Sequence, residues 1–475
     1  MIAGKEYKKV DWWLVVAYIM LTMIGWVNIF SAVYDQDHVS IFDFSQRYGQ
    51  QFVWIITAYS LAFIILFILN PKIYQSLAWL AYGATIILLF AVIFVGTEIN
   101  GSNSWLAIGP IRFQPAELSK IATTLALASL MSRYGFRLKS IKGFTQTALV
   151  ILIPMAIIIM QKETGSALVY GAFIFMLFRE GLSGWYLALG LFSIVLFLIT
   201  LSFSPFIAII ALTSITILVR GLTSKYPIRH VLILILYTYL MALSAKINET
   251  PYINNIIELS KEAWLAIVIS PLAIYHIVQS FKKSSAKLWQ ITLLFVTSII
   301  LIFSVEFFFE KILQDHQRAR IENLLGINVD LKGAGYNVHQ SKIAIGSGGL
   351  SGKGFLQGTQ TKFNFVPEQS TDFIFCTIGE EWGFIGSAAL IFLYLFVILR
   401  IVNSAEKQKN SFNRIYGYSL ASIIFMHFFI NIGMTIGIMP VIGIPLPFIS
   451  YGGSSLWSFT IFLFIFIRLD LDRRR

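Results

Sequence analysis

The chain has 475 residues, of which 57% are hydrophobic and only 13% are charged, against roughly 25% charged in an average soluble domain. Long apolar stretches recur from near the N-terminus to near the C-terminus, each able to cross a ~30 Å hydrocarbon core as a helix, which excludes a string of soluble domains. The net charge of +12 does not point to nucleic acid, because the Lys and Arg residues cluster in short loops on alternate sides of the spans.

The runs are too long and too uniformly apolar to alternate as barrel strands, so the predicted fold class is all-α, a polytopic integral membrane protein. The first run, 12–33, follows Lys5, Lys8 and Lys9. It is too long for a signal-peptide core and lacks a small-residue cleavage site, so it is read as a retained first helix. Further runs fall near 51–70, 76–96, 117–132, 145–160, 165–178, 185–203, 205–219, 230–246, 264–280, 289–308, 372–399, 415–439 and 453–468, about fourteen helices in all. The Ser204-Pro205 break leaves a kink or a re-entrant segment open.

A cytoplasmic N-terminus and C-terminus fit the charge pattern. Cytoplasmic loops then hold Lys72, the Arg133 to Lys142 cluster, Arg220 to Arg229, Lys282 to Lys287, Arg400 to Arg414 and the Arg473 to Arg475 tail. The outside receives Asp35, Asp37 and Asp43, and a large polar loop over 309–370. A loop that long is usually functional. Residues 185–290 have a different texture, with long apolar helices and few intramembrane charges, and nothing in them looks like chemistry. The single Cys376 excludes a disulfide within the chain and reads as a packing residue.

Ionisable side chains at membrane depth cost about 2.5 to 3.5 kcal/mol each, so those present need a partner or a polar cavity. In Gln114-Pro115-Ala116-Glu117-Leu118-Ser119-Lys120, Pro115 suits a first helical turn, and Glu117 and Lys120 share a face at i, i+3. Spacing alone allows a self-neutralising pair that orients the helix, or a polar wall where Lys120 meets a phosphate. Just upstream, Asn100 to Trp105 and Gly109-Pro110-Ile111-Arg112 form a turn-rich external loop with an aromatic and a cation, which alone fits an interfacial anchor.

The long external loop carries Asp330, Gly333, Gly335, Tyr336, Gln340, Ser341 and Lys342, then Gly346-Ser347-Gly348-Gly349 and Gly352-Lys353-Gly354. A Walker loop would need Gly where Ser347 stands and Ser or Thr where Gly354 stands, so these glycines read as tight turns in a structured loop. His316 and His339 have no second ligand at metal spacing. Glu163 fits a solvated loop residue, whereas Glu380 and Glu381 lie deeper in a helix and call for a cation or water.

Three motifs together resemble one family. The first is Trp105 with Gly109-Pro110 and Gln114 to Lys120; the second runs from Gly333-Ala334-Gly335-Tyr336 through Gln340 to Gly349, Thr371-Asp372 and Glu380-Glu381; the third is Asn431-Ile432-Gly433 through Pro440, Gly443, Pro445 to Phe448 and Ser450 to Ser455. The chain resembles the SEDS proteins (shape, elongation, division and sporulation), their rod-shape branch more than their division branch. That resemblance implies a core of about ten helices, to which 185–290 would add about four. The family's Gln-Pro-Asp-x-Gly appears here as Gln161-Lys162-Glu163-Thr164-Gly165, and its catalytic Asp-Pro as Asp330-Leu331.

The resemblance implies polymerisation of lipid II into β-1,4-linked glycan on the outer face of the bacterial cytoplasmic membrane, by an inverting glycosyl transfer that builds peptidoglycan for elongation and shape. Asp330 is the expected general base. Lys120 and Arg112 are the expected cations for the leaving pyrophosphate, Glu117 orients Lys120, and Trp105, Gln340, Ser341 and Lys342 complete the expected substrate surface. No cofactor is implied with certainty: the carboxylates form no recognisable metal motif, and a Mg²⁺ or Mn²⁺ ion on the pyrophosphate stays open. The expected partners are a class B penicillin-binding protein, which supplies the transpeptidase, and other elongation-complex membrane proteins. The competing reading is a lipid II flippase, in which the same charges line a transport path, and a non-enzymatic scaffold is a third.

Overall fold

In a computed structural model of the chain, the described residues are 9–34, 40–99, 102–108, 111–203, 205–223, 231–240, 261–283, 286–307, 315–327, 335–363 and 365–473, with 228, 309, 313, 330 and 333 singly. Lys5, Lys8, Asp35, Asp37, Gly109, Pro110, Lys225, Arg229, His316, Leu331, Ala334 and Arg474 to Arg475 lie outside what is described of their backbone or side chains. Among the described residues, the apolar runs picked out from the sequence coincide with helices, and positions 230 and 241–246 of the run at 230–246 lie outside them. Among the described residues eight helices are long and apolar enough to cross a membrane. Leu80, Ile87, Phe94, Phe392 and Leu399 point outward, each more than 60% exposed. In water such faces would aggregate, so lipid is their solvent. The chain is a multi-pass, all-α membrane protein.

The chain divides into two compact units, residues 1–184 with 331–475, and residues 185–330. In the first, the Pro115–Met131 helix is central and packs on the helices Ala78–Val95, Ile141–Met160, Ser411–Thr435 and Gly453–Arg473. The Trp12–Ala32 helix packs on Arg47–Phe63 and on Ile374–Glu406. In the second unit, Pro205–Thr223, Lys261–Lys283 and Ala286–Phe307 pack on one another around Ile209, Leu212, Ile269, Leu272, Phe295 and Ile302.

Local chemistry sets the helix ends. The Asp11 carboxylate accepts from the Leu14 N–H at 3.3 Å and pairs with Arg400 at 2.8 Å, which caps the first helix and ties it to the end of another. Ser140 and Asn410 cap theirs in the same way, through Gly143 N–H and Phe412 N–H. The Ile374–Glu406 helix is broken at Gly383, whose φ of 63° lies in the region L-residues avoid. Gly25 lets the first helix touch the loop after Pro440, since a Cβ there would lie 2.6 Å from the Ile449 carbonyl oxygen.

One element departs from the all-helical expectation. The loop read as turn-rich forms a small antiparallel sheet of Thr97–Ile99, Ser102–Ile108 and Ile111–Phe113. Outside the helices its backbone groups have no intra-segment partners, and strand pairing satisfies them. The long polar loop is also ordered locally, with helices over Asp315–Leu325, Tyr336–Ser347 and Thr359–Lys362, and with positive φ at Gly349, Gly352 and Gly354.

Candidate functional site

The first unit builds its polar centre at the start of the Pro115–Met131 helix. Pro115 occupies the first turn, and the Gln114 N–H, which precedes the ladder, donates to Ser454 Oγ at 3.1 Å. One turn in, Lys120 Nζ lies 2.7 Å from Glu117 Oε1 and 2.8 Å from Nε2 of His427, which projects from the Ser411–Thr435 helix. The Phe459 ring centroid is 5.4 Å from the same ammonium, close enough for a cation–π contact. Glu117 is 3% exposed, and Lys120 and His427 are each 1% exposed. At that depth water screens nothing, so the pair survives only because each charge has its partner. Glu117, Lys120, Ile121, Ile423, Ser458 and Phe459 line a narrow crevice.

Segments far apart in sequence close over this cluster. His427 Nδ1 is 3.2 Å from the Pro445 carbonyl oxygen. Asn431, one helical turn on, donates through Nδ2 to the carbonyls of Asp372 at 2.8 Å and Ile444 at 2.7 Å. Ser450 Oγ donates to the Thr371 carbonyl at 2.6 Å, and the Tyr451 N–H to that of Ser370 at 2.9 Å. The Tyr394 hydroxyl donates to the Pro447 carbonyl. Gln114 and Lys120 of the first motif, Thr371 and Asp372 of the second, and Asn431, Pro445, Ser450 and Ser454 of the third are thus joined in one hydrogen-bonded assembly through His427 and direct contacts.

A second network anchors the long polar loop. Glu380, fully buried, accepts from Lys353 Nζ at 2.7 Å, Gln360 N–H at 2.8 Å and Thr361 N–H at 2.9 Å. Glu381 accepts from the Leu356 N–H at 3.0 Å and from the Ser31 hydroxyl. Lys353, which lies among the glycines weighed as a phosphate loop, is committed to Glu380. Glu163 is likewise engaged: Ser102 Oγ and Ser104 Oγ, on one face of their strand, donate to it at 2.6 and 2.8 Å.

The sequence-predicted residues fall in different places. Glu117 and Lys120 meet directly. Trp105 is half-buried on the Ser102–Ile108 strand, opposite Thr97. Arg112 has its backbone in the Ile111–Phe113 strand, paired with Ala107, and its side chain is outside the described residues. On the Tyr336–Ser347 helix, Ser341 is buried and donates to the Thr435 carbonyl at 2.9 Å, Gln340 is half-buried and Lys342 is exposed. Asp330 is exposed and belongs to the second unit, where its N–H donates to Asn323 Oδ1 at 2.8 Å. Among the described residues no group of three or more His, Cys, Asp or Glu side chains could hold a metal ion.

His427 was missed by sequence reasoning. The signal was present: it is the lone ionisable side chain in the interior of its apolar run, where such a residue needs a partner.

A bundle of membrane helices enclosing a buried ion pair, covered by an irregular loop, defines a class of polytopic membrane protein, and comparison with known proteins specifies which. Residues 12–235 and 281–475 match the FtsW/RodA/SpoVE family, described as Cell cycle protein, and the chain belongs to that family. It is 30% identical to the peptidoglycan glycosyltransferase RodA of Treponema pallidum over 94% of each chain. It is also 30% identical to the peptidoglycan glycosyltransferase MrdB of Escherichia coli K12, over 81% of this chain and 75% of that one. Among solved structures, a chain from a peptidoglycan synthase complex that coordinates polymerization and crosslinking is 25% identical, with 98% of each chain covered and a TM-score of 0.58. The rod shape determining protein RodA of Thermus thermophilus shares the fold at 21% identity, with a TM-score of 0.56 over 98% of each chain.

Proposed function

We propose that this protein is a peptidoglycan glycosyltransferase that polymerises lipid II into β-1,4-linked glycan on the outer face of the bacterial cytoplasmic membrane, in the service of cell elongation. The observation that carries the reading is the convergence of the family's motifs on the buried Glu117, Lys120 and His427 cluster. Relatives that align with most of this chain are named peptidoglycan glycosyltransferases. Those names favour polymerisation over the flippase reading.

The chemistry asks for two things. A sugar hydroxyl is too weakly acidic to attack unaided, so a carboxylate must take its proton as the new C–O bond forms; Asp330, exposed on the external loop, is assigned that role. As the bond from C1 of the donor sugar to the lipid pyrophosphate breaks, the electron pair leaves with the pyrophosphate, whose developing charge a fixed cation stabilises. Lys120 and Arg112 are assigned there. A single displacement on an α-linked donor gives the β-linked product, so no second nucleophilic carboxylate is needed. Trp105, Gln340 and Lys342 are assigned to the sugar and phosphate surface, with Ser341 fixing the helix of Gln340 and Lys342 through Thr435. Any Mg²⁺ or Mn²⁺ would be held chiefly by substrate oxygens.

Cross-linking requires another protein, and a class B penicillin-binding protein, with other elongation-complex membrane proteins, is the proposed partner set. The solved relative in a synthase complex supports such pairing. Cytoplasmic termini are proposed from the loop charges. The decisive experiment is polymerisation of purified lipid II by the purified chain, with and without its transpeptidase, with glycan product and lipid translocation scored separately. Translocation without glycan would refute the proposal.

A further inference from the structure

We infer that His427 is a positioning residue for glycosyl transfer, fixing the direction of the Lys120 ammonium. The inference rests on the assignment of Lys120 to the leaving pyrophosphate.

The hydrogen-bond chemistry is unambiguous at both ends of the ring. An ammonium has three donors and no acceptor, so His427 Nε2, 2.8 Å from Lys120 Nζ, must accept. A carbonyl oxygen only accepts, so Nδ1, 3.2 Å from the Pro445 oxygen, must carry the proton. The ring is therefore neutral and locked in one tautomer. Without it, Lys120 would have, among the described residues, only Glu117 at hydrogen-bond distance, on its own helix at i, i+3. The second acceptor comes from a different helix and draws the ammonium away from full commitment to the carboxylate. With the Phe459 ring on a further side, Nζ is held from three directions.

The ring also links Lys120 to the loop after Pro440. That loop is held in turn by Asn431, which bonds the Ile444 and Asp372 carbonyls together. Lys120 is thus aimed by the same loop that joins the second and third motifs. A buried histidine with only a packing role would need its Pro445 bond and its volume, but not an acceptor at Nε2.

The test compares two isopolar variants in lipid II polymerisation by the purified full-length protein, beside Lys120→Met. His427→Gln can place its amide oxygen where Nε2 stands; His427→Asn reaches only as far as Nδ1 and keeps the Pro445 contact. The expected result is a kcat within about 5-fold of the parent for His427→Gln and about 100-fold lower for His427→Asn, because displacing a fixed catalytic group by ~1 Å costs that much. KM for lipid II stays within about 3-fold in both, since the lost interaction belongs to the transition state. Equal kcat values for the two variants, or a loss confined to KM, would overturn the inference. Lys120→Met with undiminished kcat refutes the underlying assignment of Lys120; failure of the His427 inference alone leaves Lys120→Met inactive and the two histidine variants alike.

Discussion

Lys353 Nζ sits 2.7 Å from Glu380 Oε1, and that carboxylate, fully buried beside the Gly383 break, also collects the N–H groups of Gln360 and Thr361. One side chain therefore folds the loop from Gly348 to Thr361 back onto the helix that follows it. Removing it leaves a cation and two backbone donors without their acceptor. Glu380→Ala is expected to cost about 1–3 kcal/mol, because it strands the Gln360 and Thr361 N–H groups, while the partly exposed Lys353 can turn to water. Thermal unfolding in detergent, with limited proteolysis between Gly348 and Thr361, checks this; an unchanged cleavage rate would show that the loop holds by other means.

Asn431 is a smaller lock of the same kind. Its Nδ2 donates to two carbonyls, those of Asp372 and Ile444, and Asn431→Leu removes both bonds. Each buried hydrogen bond contributes about 1 kcal/mol and each stranded acceptor costs about 1–3 kcal/mol. The melting temperature should fall by several degrees, and polymerisation should fall further than stability does, because the Pro445 loop loses its tie.

Gly25 tests a contact without polar chemistry. A methyl group there would lie 2.6 and 2.7 Å from the Ile449 oxygen and Cα, and backbone cannot rotate aside as a flexible side chain can. Gly25→Ala is expected to destabilise by about 1–3 kcal/mol, read as a lower melting temperature, whereas Gly83→Ala, with open space around it, should be neutral or slightly stabilising.

Asp330 and Lys120 should separate chemistry from stability. Asp330→Ala changes an exposed side chain, so folding and membrane insertion should be intact while polymerisation is abolished; normal glycan chains from this variant would remove Asp330 from the mechanism. Lys120→Ala should also abolish activity, but it strands the buried Glu117 and should lower stability by about 3–5 kcal/mol. Glu117→Gln in the same background should recover stability without recovering activity.

Topology can be tested with little background, because the single Cys376 is buried. His339→Cys introduces a thiol at an exposed position of the Tyr336–Ser347 helix. A membrane-impermeant maleimide should label it in intact spheroplasts. Labelling only after lysis would put the loop in the cytoplasm, away from any extracytoplasmic glycan.

The sequence by itself determined the solvent, the membrane helices and the family. Hydrocarbon forces each uninterrupted apolar run of sufficient length to satisfy its own backbone, so among the described residues the runs from Trp12 to the C-terminal helix emerged as helices. Pairing across the chain was not legible in that way. Glu117 and Lys120 could be placed together because i, i+3 spacing is a local rule. The acceptor at His427, 307 residues away, the commitment of Lys353 to Glu380, and the sheet that brings Ser102 and Ser104 to Glu163 could not, because no periodicity encodes which helix packs beside which. Those partners are chosen by tertiary packing. A buried charge takes whatever donor or acceptor the assembled helices bring within about 3 Å, and only the folded chain decides which one that is.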